Sequence, residues 1–208
     1  MNTITEIATL RHAHTQFNAE RRYAGTIDVP LSELGIRDAQ LAAEKLKEAG
    51  FEVIITSRLK RSIETARIIS GDRIPIVKTK LCNERNFGIM EGLTWDEVLN
   101  LQPPIILIQV GGDLHTVNPK GGEPFEDVWL RAKKFRNFIF KNYQGQKILV
   151  VSHGVFLQMF HGVLRGSNCV ESLAKYPSNL ELTIFRFSGN ELLAEESIKL
   201  SGEEVFRW

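Results

Sequence analysis

Apolar residues along this chain fall into two recurring patterns: short unbroken runs, and longer stretches with apolar positions three and four apart. Ile4 to Leu10 is a mostly β-branched and aliphatic run of strand length, and Phe51 to Thr56 and Lys147 to Ser152 are two more. Between the first two, Ser32 reads as the N-cap of a helix through Leu34, Ala39, Leu41, Ala42, Leu46 and Ala49, stopped by Gly50. Ser57 reads as the N-cap of a second helix, over Leu59 to Ile69, ended at Gly71-Asp72. Ile74 to Val77 is a short strand that Pro75 pushes toward a sheet edge. Thr94 with Glu97 makes a capping box for a short helix. Phe125, Val128, Trp129, Ala132, Phe135, Phe138 and Ile139 line one face of a helix whose first turn holds Pro124. Gly154 to Leu164 reads as helix, and Glu181 to Phe187 with Glu191 to Ser197 as a closing hairpin around Ser188-Gly189-Asn190.

Strands alternating with helices predict an α/β fold with three α/β/α layers, a mostly parallel sheet carrying helices on both faces. One stretch resists this reading. Residues 102–122 include the apolar run Pro103 to Val110, bounded by Pro and by Gly111-Gly112, with no helical period. It could pack on the core, line a pocket or form a homodimer contact. Long irregular insertions in compact domains are often lids, so a cap over the functional site, about residues 93–122 of a single domain spanning 1–208, is the expectation.

Composition narrows the function classes. A chain of 208 residues with 43% hydrophobic and 25% charged residues can bury a core. Net charge is +1 and no basic stripe is present, so neither nucleic acid nor a membrane surface is expected as partner. Cys82 and Cys169 stand far apart without a CxxC partner and read as reduced thiols. With no apolar run near the roughly 20 residues of a spanning helix and no signal-peptide pattern at the start, a cytoplasmic protein is expected.

The chemistry gathers at strand ends. Ile4 to Leu10 stops at Arg11-His12, and Lys147 to Ser152 stops at His153-Gly154. Open α/β sheets bind ligands beyond the carboxyl ends of their strands. Two parallel strands that both end in histidine can therefore set both imidazoles over one sheet edge.

The spacing around these residues continues into a longer series. Arg11-His12-Ala13-His14-Thr15-x-x-Asn18 is followed by Gly25-x-x-Asp28-x-Pro30-Leu31-Ser32-x-x-Gly35 and Ser57-x-x-x-Arg61-Ser62-x-x-Thr65-Ala66. Glu84-x-x-Phe87-Gly88-x-x-Glu91-Gly92, Gly121-Gly122-Glu123 and Val151-Ser152-His153-Gly154 complete it. In this order the blocks resemble the histidine phosphatase superfamily, the phosphoglycerate mutase-like phosphohydrolases, over most of the chain.

That resemblance implies a metal-independent phosphomonoester hydrolase working through a phosphohistidine, with no cofactor and a small phosphorylated metabolite as substrate. His12 is implied as nucleophile, since a neutral imidazole carries a free lone pair near neutral pH. Arg11 and Arg61 are implied as phosphoryl clamps, because a guanidinium stays charged and can bind two oxygens at once. His153 is expected as a cation supporting the transition state when phosphate is bound. Asn18 is expected as a neutral donor, and Gly25 and Gly154 as further phosphate-binding positions. Glu84 is expected to protonate the leaving oxygen and then activate water, held neutral for the purpose. His14 is expected at the pocket rim, and His115 and His161 as surface and helix residues without a role.

Rival chemistries find less support. No Cys-x5-Arg loop, Asp-x-Asp pair or G-x-x-x-x-G-K-[ST] motif is present. His12-x-His14 has metal-ligand spacing but no accompanying ligand cluster. A phosphoglycerate mutase is the nearest alternative. Against it, Phe87 stands where mutases typically have Tyr, and residues 93–119 contain no Lys or Arg to grip a carboxylate. The apolar run suggests instead a leaving group with an apolar or aromatic portion. A non-catalytic relative is the remaining alternative.

Overall fold

The computed structural model describes residues 3–200. Four parallel strands, β1 (Ile4–Arg11), β2 (Val53–Thr56), β3 (Ile76–Lys78) and β6 (Lys147–Ser152), join a C-terminal hairpin of β7 (Glu181–Ser188) and β8 (Glu191–Lys199). They form one sheet in the order β3-β2-β6-β1-β7-β8, with β7 antiparallel to both of its neighbours. The expected mostly parallel sheet is therefore present, and the Pro75 strand lies at its edge.

Alternation along the strands builds two cores. Ala8, Leu10, Ile54, Leu149 and Val151 face α2 (Glu33–Leu46) and α3 (Lys60–Ser70), burying Ala39, Ala42, Ala66 and Ile69. Ile7, Ile55, Ile148, Val150 and Phe185 face the other way, against α5 (Phe125–Asn142) and α6 (Gly154–Arg165). Phe135 at the centre of α5 contacts Phe156 and Phe160 of α6, ring centroids 5.6 and 5.0 Å apart. Short helices α1 (Gln16–Ala19), α4 (Trp95–Leu99) and α7 (Cys169–Ser172) lie outside these layers.

Three readings from sequence are corrected. The helix capped by Ser32 ends at Leu46 with Lys47 as its C-cap, short of Gly50. Ser57 does not cap α3. That helix starts at Lys60, whose N–H donates to Asp28 Oδ1 at 2.6 Å from a distant loop, and Ser57 is committed elsewhere. Residues 102–122 are not irregular, because β4 (Ile106–Val110) and β5 (Asp113–Val117) pair as an antiparallel hairpin turning at Gly111-Gly112. His161 lies on a helix as read, buried on α6 with Nε2 2.7 Å from Thr9 Oγ1. The Thr94/Glu97 capping box and the Ser32 cap form as expected.

Candidate active site

Strand register brings the two histidines together. Arg11 pairs with Ser152 across β1 and β6, and the next residue on each strand is a histidine. His12 N–H donates to Ser152 O at 2.9 Å, and the rings of His12 and His153 lie 5.2 Å apart. Adjacent strands stand about 4.8 Å apart, so this separation follows from the sheet itself.

The Ser57-to-Ala66 block fastens α3 against those strand ends. Ser62 Oγ bonds Thr56 Oγ1 at 2.6 Å and Val151 O at 2.7 Å. Thr65 Oγ1 accepts the Ala13 N–H at 3.0 Å while donating to Arg61 O at 2.7 Å. These contacts place Arg61, in the first turn of α3, beside His12. Arg61 donates Nη1 to Ile27 O and Nη2 to Gly25 O, at 2.9 and 2.7 Å. Arg11 donates Nη1 to Pro177 O at 3.0 Å, and its guanidinium lies 5.0 Å from the Tyr176 ring centre.

Hydrogen bonding orients both imidazoles. His12 Nδ1 lies 2.8 Å from Ala13 O, and a carbonyl can only accept, so Nδ1 carries the proton and Nε2 keeps its lone pair. Burial, then the charges of Arg61 and Arg11, hold His12 well below the ordinary imidazole value of 6.5. Ser57 Oγ accepts the Leu59 N–H and lies 2.7 Å from His153 Nε2. A hydroxyl oxygen can accept twice, so this contact serves a His153 Nε2 that accepts the Ser57 proton as well as one that donates to Ser57 Oγ. Burial, then Arg61, His12 and Arg11, also lower His153 well below 6.5. These charges and its burial favour the neutral form of His153, while the expected cation belongs to the phosphate-bound state.

Three buried side-chain nitrogens at this place have no partner: Arg11 Nε and Arg61 Nε, both donors, and His153 Nδ1. Most buried polar groups are paired, so unpaired donors around one imidazole call for an acceptor with several oxygens. Arg61 remains cationic near neutral pH even though burial brings it down to about 10.

Glu84 completes the group. It is buried, with Oε1 accepting N–H from Arg85 and Phe156 at 2.8 and 3.0 Å, and Oε2 accepting from Val155 at 3.3 Å. Two of those donors are the opening turn of α6. Arg131 fixes the loop below: it pairs with Glu123 at 2.8 Å and donates to the carbonyls of Leu81, Asn83 and Glu84. The Gly121-Gly122-Glu123 turn thus holds Glu84's loop in place rather than reaching toward the histidines itself.

These residues open on a cleft of about 790 Å³, part of it open to solvent. Arg11, His12, Asn18, Gly25, Arg61 and Glu84 line it. His153 and Gly154 lie one layer deeper, His153 fully buried and Gly154 packed so closely on the Tyr176 hydroxyl that a methyl group there would overlap it. Asn18 Oδ1 accepts from Thr15 N and Oγ1, which leaves the amide NH2 as the end available to the cleft. Gly25 acts through its carbonyl on Arg61. At φ +49° it occupies the left-handed region, and a Cβ would fall 2.0 Å from Glu91 Oε1. Gly25→Ala should therefore disturb Arg61 and lower kcat/KM by about 10- to 100-fold, measured against the wild type on one aryl phosphate.

His12 and His14 do not converge as metal ligands. His14 Nδ1 lies 3.2 Å from Ser32 Oγ, and no cluster of three His, Cys, Asp or Glu able to hold a metal occurs among the described residues. His14 is also absent from the cleft wall, where a rim position was expected.

Sequence reasoning missed the far wall of the cleft. His115, expected at the surface, is buried and lines it, together with Asp113, Leu114 and Thr116 of the β4–β5 hairpin. Tyr23, Phe87, Phe125 and Tyr176 add aromatic rings, and Arg22 and Arg85 add cations. Residues 93–119 carry no Lys or Arg, and counter-charge reaches the cleft from other segments, through Arg22 and Arg85. The Glu84-to-Gly92 block held the signal for Arg85, as the residue beside the expected acid. Nothing local marked Tyr176.

Comparison with known proteins agrees with this geometry. The family model of the histidine phosphatase superfamily (branch 1) matches residues 7–197. The chain belongs to that superfamily, a family of phosphoglycerate mutase-like enzymes and phosphatases. Phosphoglycerate mutase-like protein 4 of Arabidopsis thaliana is 30% identical over 191 residues, 89% of this chain and 81% of that protein. Phosphoserine phosphatase 1 of Hydrogenobacter thermophilus is 31% identical over 164 residues, 78% of this chain and 77% of that one. Among solved structures, Bacillus stearothermophilus YhfR superposes with a TM-score of 0.78 at 28% identity, covering 91% of this chain and 94% of its own.

Proposed function

We propose that this protein hydrolyses a small phosphomonoester through a phosphohistidine on His12. One observation carries the reading: the His12 Nε2 lone pair stands among three unpartnered buried nitrogens, the guanidinium donors Arg11 Nε and Arg61 Nε and the imidazole His153 Nδ1. A phosphoryl group supplies the missing acceptors.

In the first half-reaction His12 Nε2 attacks phosphorus, the ester oxygen leaves, and that oxygen takes a proton from Glu84. Arg11 and Arg61 hold the equatorial oxygens, where phosphoryl-transfer charge is spread. The Asn18 amide adds a neutral donor. His153, lowered by neighbouring cations, gains a phosphoryl dianion as its neighbour, which favours its charged form. In the second half-reaction Glu84 takes a proton from water as that water attacks the phosphohistidine, releasing phosphate and restoring His12. Oε2 of Glu84, with its single long contact of 3.3 Å, is the oxygen suited to exchange this proton. The 93–122 segment acts as the cap of the domain, since four hairpin residues form one wall of the cleft.

Mixing the enzyme with a ³²P-labelled aryl phosphate and quenching in alkali should trap label on the protein, alkali-stable and acid-labile, at His12. Label that persists in His12→Ala, or no label under turnover, refutes the mechanism. Glu84→Gln should separate the two half-reactions. With an aryl phosphate it should release one equivalent of phenol rapidly and then turn over about 100-fold or more slowly. With an alkyl phosphate the first step should slow by a similar factor, because that leaving group needs the proton. Loss of equal size with no burst would remove Glu84 from the acid–base role.

A mutase shares all these groups and returns the phosphoryl group to a second hydroxyl, and the cations Arg22 and Arg85 keep that reading in play. Phe87, which brings no hydroxyl to the wall, favours hydrolysis. Faster conversion of 3-phosphoglycerate to 2-phosphoglycerate than release of phosphate from any monoester would reverse the order.

A further inference from the structure

We propose that Glu91 is a positioning residue for the phosphoryl clamp: its carboxylate fixes the Gly25–Thr26 peptide, which in turn sets the plane of Arg61. The inference rests on the phosphatase reading above and deepens it, since it makes the grip of Arg61 depend on a carboxylate outside the cleft wall.

Glu91 follows the short 3₁₀ turn Gly88–Met90 and takes three neutral donors from two loops. Oε1 accepts the Thr26 N–H at 2.8 Å and the Phe87 N–H at 3.1 Å, and Oε2 accepts the Thr26 hydroxyl at 2.7 Å. Thr26 stands between Gly25 and Ile27, the two residues whose carbonyls hold Arg61. The oxygen of Gly25 and the N–H of Thr26 belong to one trans peptide unit, so they point in opposite directions. That unit lies in series between two charges, accepting from Arg61 Nη2 at 2.7 Å and donating to Glu91 Oε1 at 2.8 Å. Both ends polarise it in the same sense, and hydrogen bonds in such a chain reinforce one another. The bare α-carbon of Gly25 is what admits the carboxylate, because a methyl group there would take the place of Oε1.

The consequence for Arg61 is geometric. With Nη1 and Nη2 committed to Ile27 O and Gly25 O, Nε is the guanidinium nitrogen left without a partner. Its direction is only as firm as those two carbonyls. Residues 23–30 form neither helix nor strand, so the loop that carries them needs bracing from outside. Glu91 supplies the brace, and through Phe87 N–H it ties that loop to the one carrying the proposed acid, Glu84, three residues earlier. Charge acts in the same direction: burial is the main influence lowering Arg61, and the carboxylates of Glu84, Asp28 and Glu91 oppose it. The phosphoryl clamp and the acid–base loop therefore share one anchoring carboxylate.

A double-mutant cycle on the full chain tests this with two readouts: the Kd for inorganic phosphate by calorimetry, and kcat/KM on p-nitrophenyl phosphate. Glu91→Ala should weaken phosphate binding and lower kcat/KM by about 10- to 100-fold, the scale of a misplaced clamp. In an Arg61→Ala background the same change should add less than about 3-fold to either loss, because the group Glu91 acts through is gone. Glu91→Gln keeps an oxygen able to accept both N–H groups and should recover most of the loss. Where Glu91→Ala does not melt cooperatively, Glu91→Met, close in volume and without a strong acceptor, takes its place in the cycle. Losses that multiply in the double variant overturn the proposal, since Glu91 would then act independently of Arg61. A folded Glu91→Ala with wild-type phosphate affinity also overturns it, as does a Glu91→Gln as damaged as Glu91→Ala. Should wild type bind phosphate but hydrolyse no monoester, the phosphatase reading fails while the binding cycle still decides for or against Glu91. A wild type that binds no phosphate refutes both.

Discussion

His12→Ala should reduce kcat/KM for every phosphomonoester by about 10⁴-fold or more, the range seen when a covalent nucleophile is deleted. Its side chain makes a single internal hydrogen bond, to the adjacent Ala13 carbonyl. Removing it leaves the strand intact, because the backbone N–H still donates to Ser152 O and the backbone carbonyl still accepts from Asn179 Nδ2 at 2.7 Å. The variant should therefore fold, keep its thermal midpoint within a few degrees, and still bind inorganic phosphate through Arg11, Arg61 and His153. Steady-state assays, a circular-dichroism melt and phosphate titration measure the three quantities. Activity within tenfold of wild type would make His12 a binding residue and favour a non-catalytic relative.

Acid should destabilise the fold steeply between pH 6.5 and 5, well before the carboxylates are protonated. His12, His153 and His161 are all buried and neutral, with burial the largest cause in each and His161 pushed down to about 3. In the unfolded chain each regains a value near 6.5, so below that pH the unfolded state binds more protons than the native state. The stability these sites contribute is complete above 6.5 and is lost as pH falls toward their native values. Each imidazole adds a slope of up to about 1.4 kcal/mol per pH unit, and the three together roughly 4. Glu6 and Glu195, lowered in the native state, act in a separate window below 4.5.

Urea unfolding at pH 7, 6 and 5 should show the midpoint falling throughout. Saturating phosphate should flatten the curve by favouring charge on His153, and His161→Gln should remove about one third of the slope. A midpoint that stays level from pH 7 to 5 would mean that these imidazoles are not neutral in the native protein.

The chain's own pattern determined more of the site than of the cleft. Arg11, His12 and His153 were legible because strand ends in a parallel sheet converge, and because apolar runs ending in His locate those ends without any tertiary detail. Arg61 and Glu84 were legible only through the family-like series of blocks, since an isolated Arg or Glu looks like a surface charge. The structure then explains that series: Ser62 and Thr65 are spaced to bond Val151 O and the Ala13 N–H, which anchors Arg61.

Local sequence rules failed where a residue's partner lies far away in the chain. Ser57 looks like a helix cap because capping is a local pattern, but its hydroxyl meets His153 across 96 positions and Asp28 caps the helix in its stead. His115 looked like a surface residue because nothing in its own hairpin predicts burial against Phe125, 6.1 Å away. By itself the sequence determined the layered sheet and the two histidine-bearing strand ends, which follow from periodicity, and the ordered blocks whose resemblance marked the family. Only tertiary packing decided the proton position on His12, the depth of His153 and Arg85 and the aromatic far wall. Those depend on which groups are desolvated together, a property of distances in space that the order of residues does not carry.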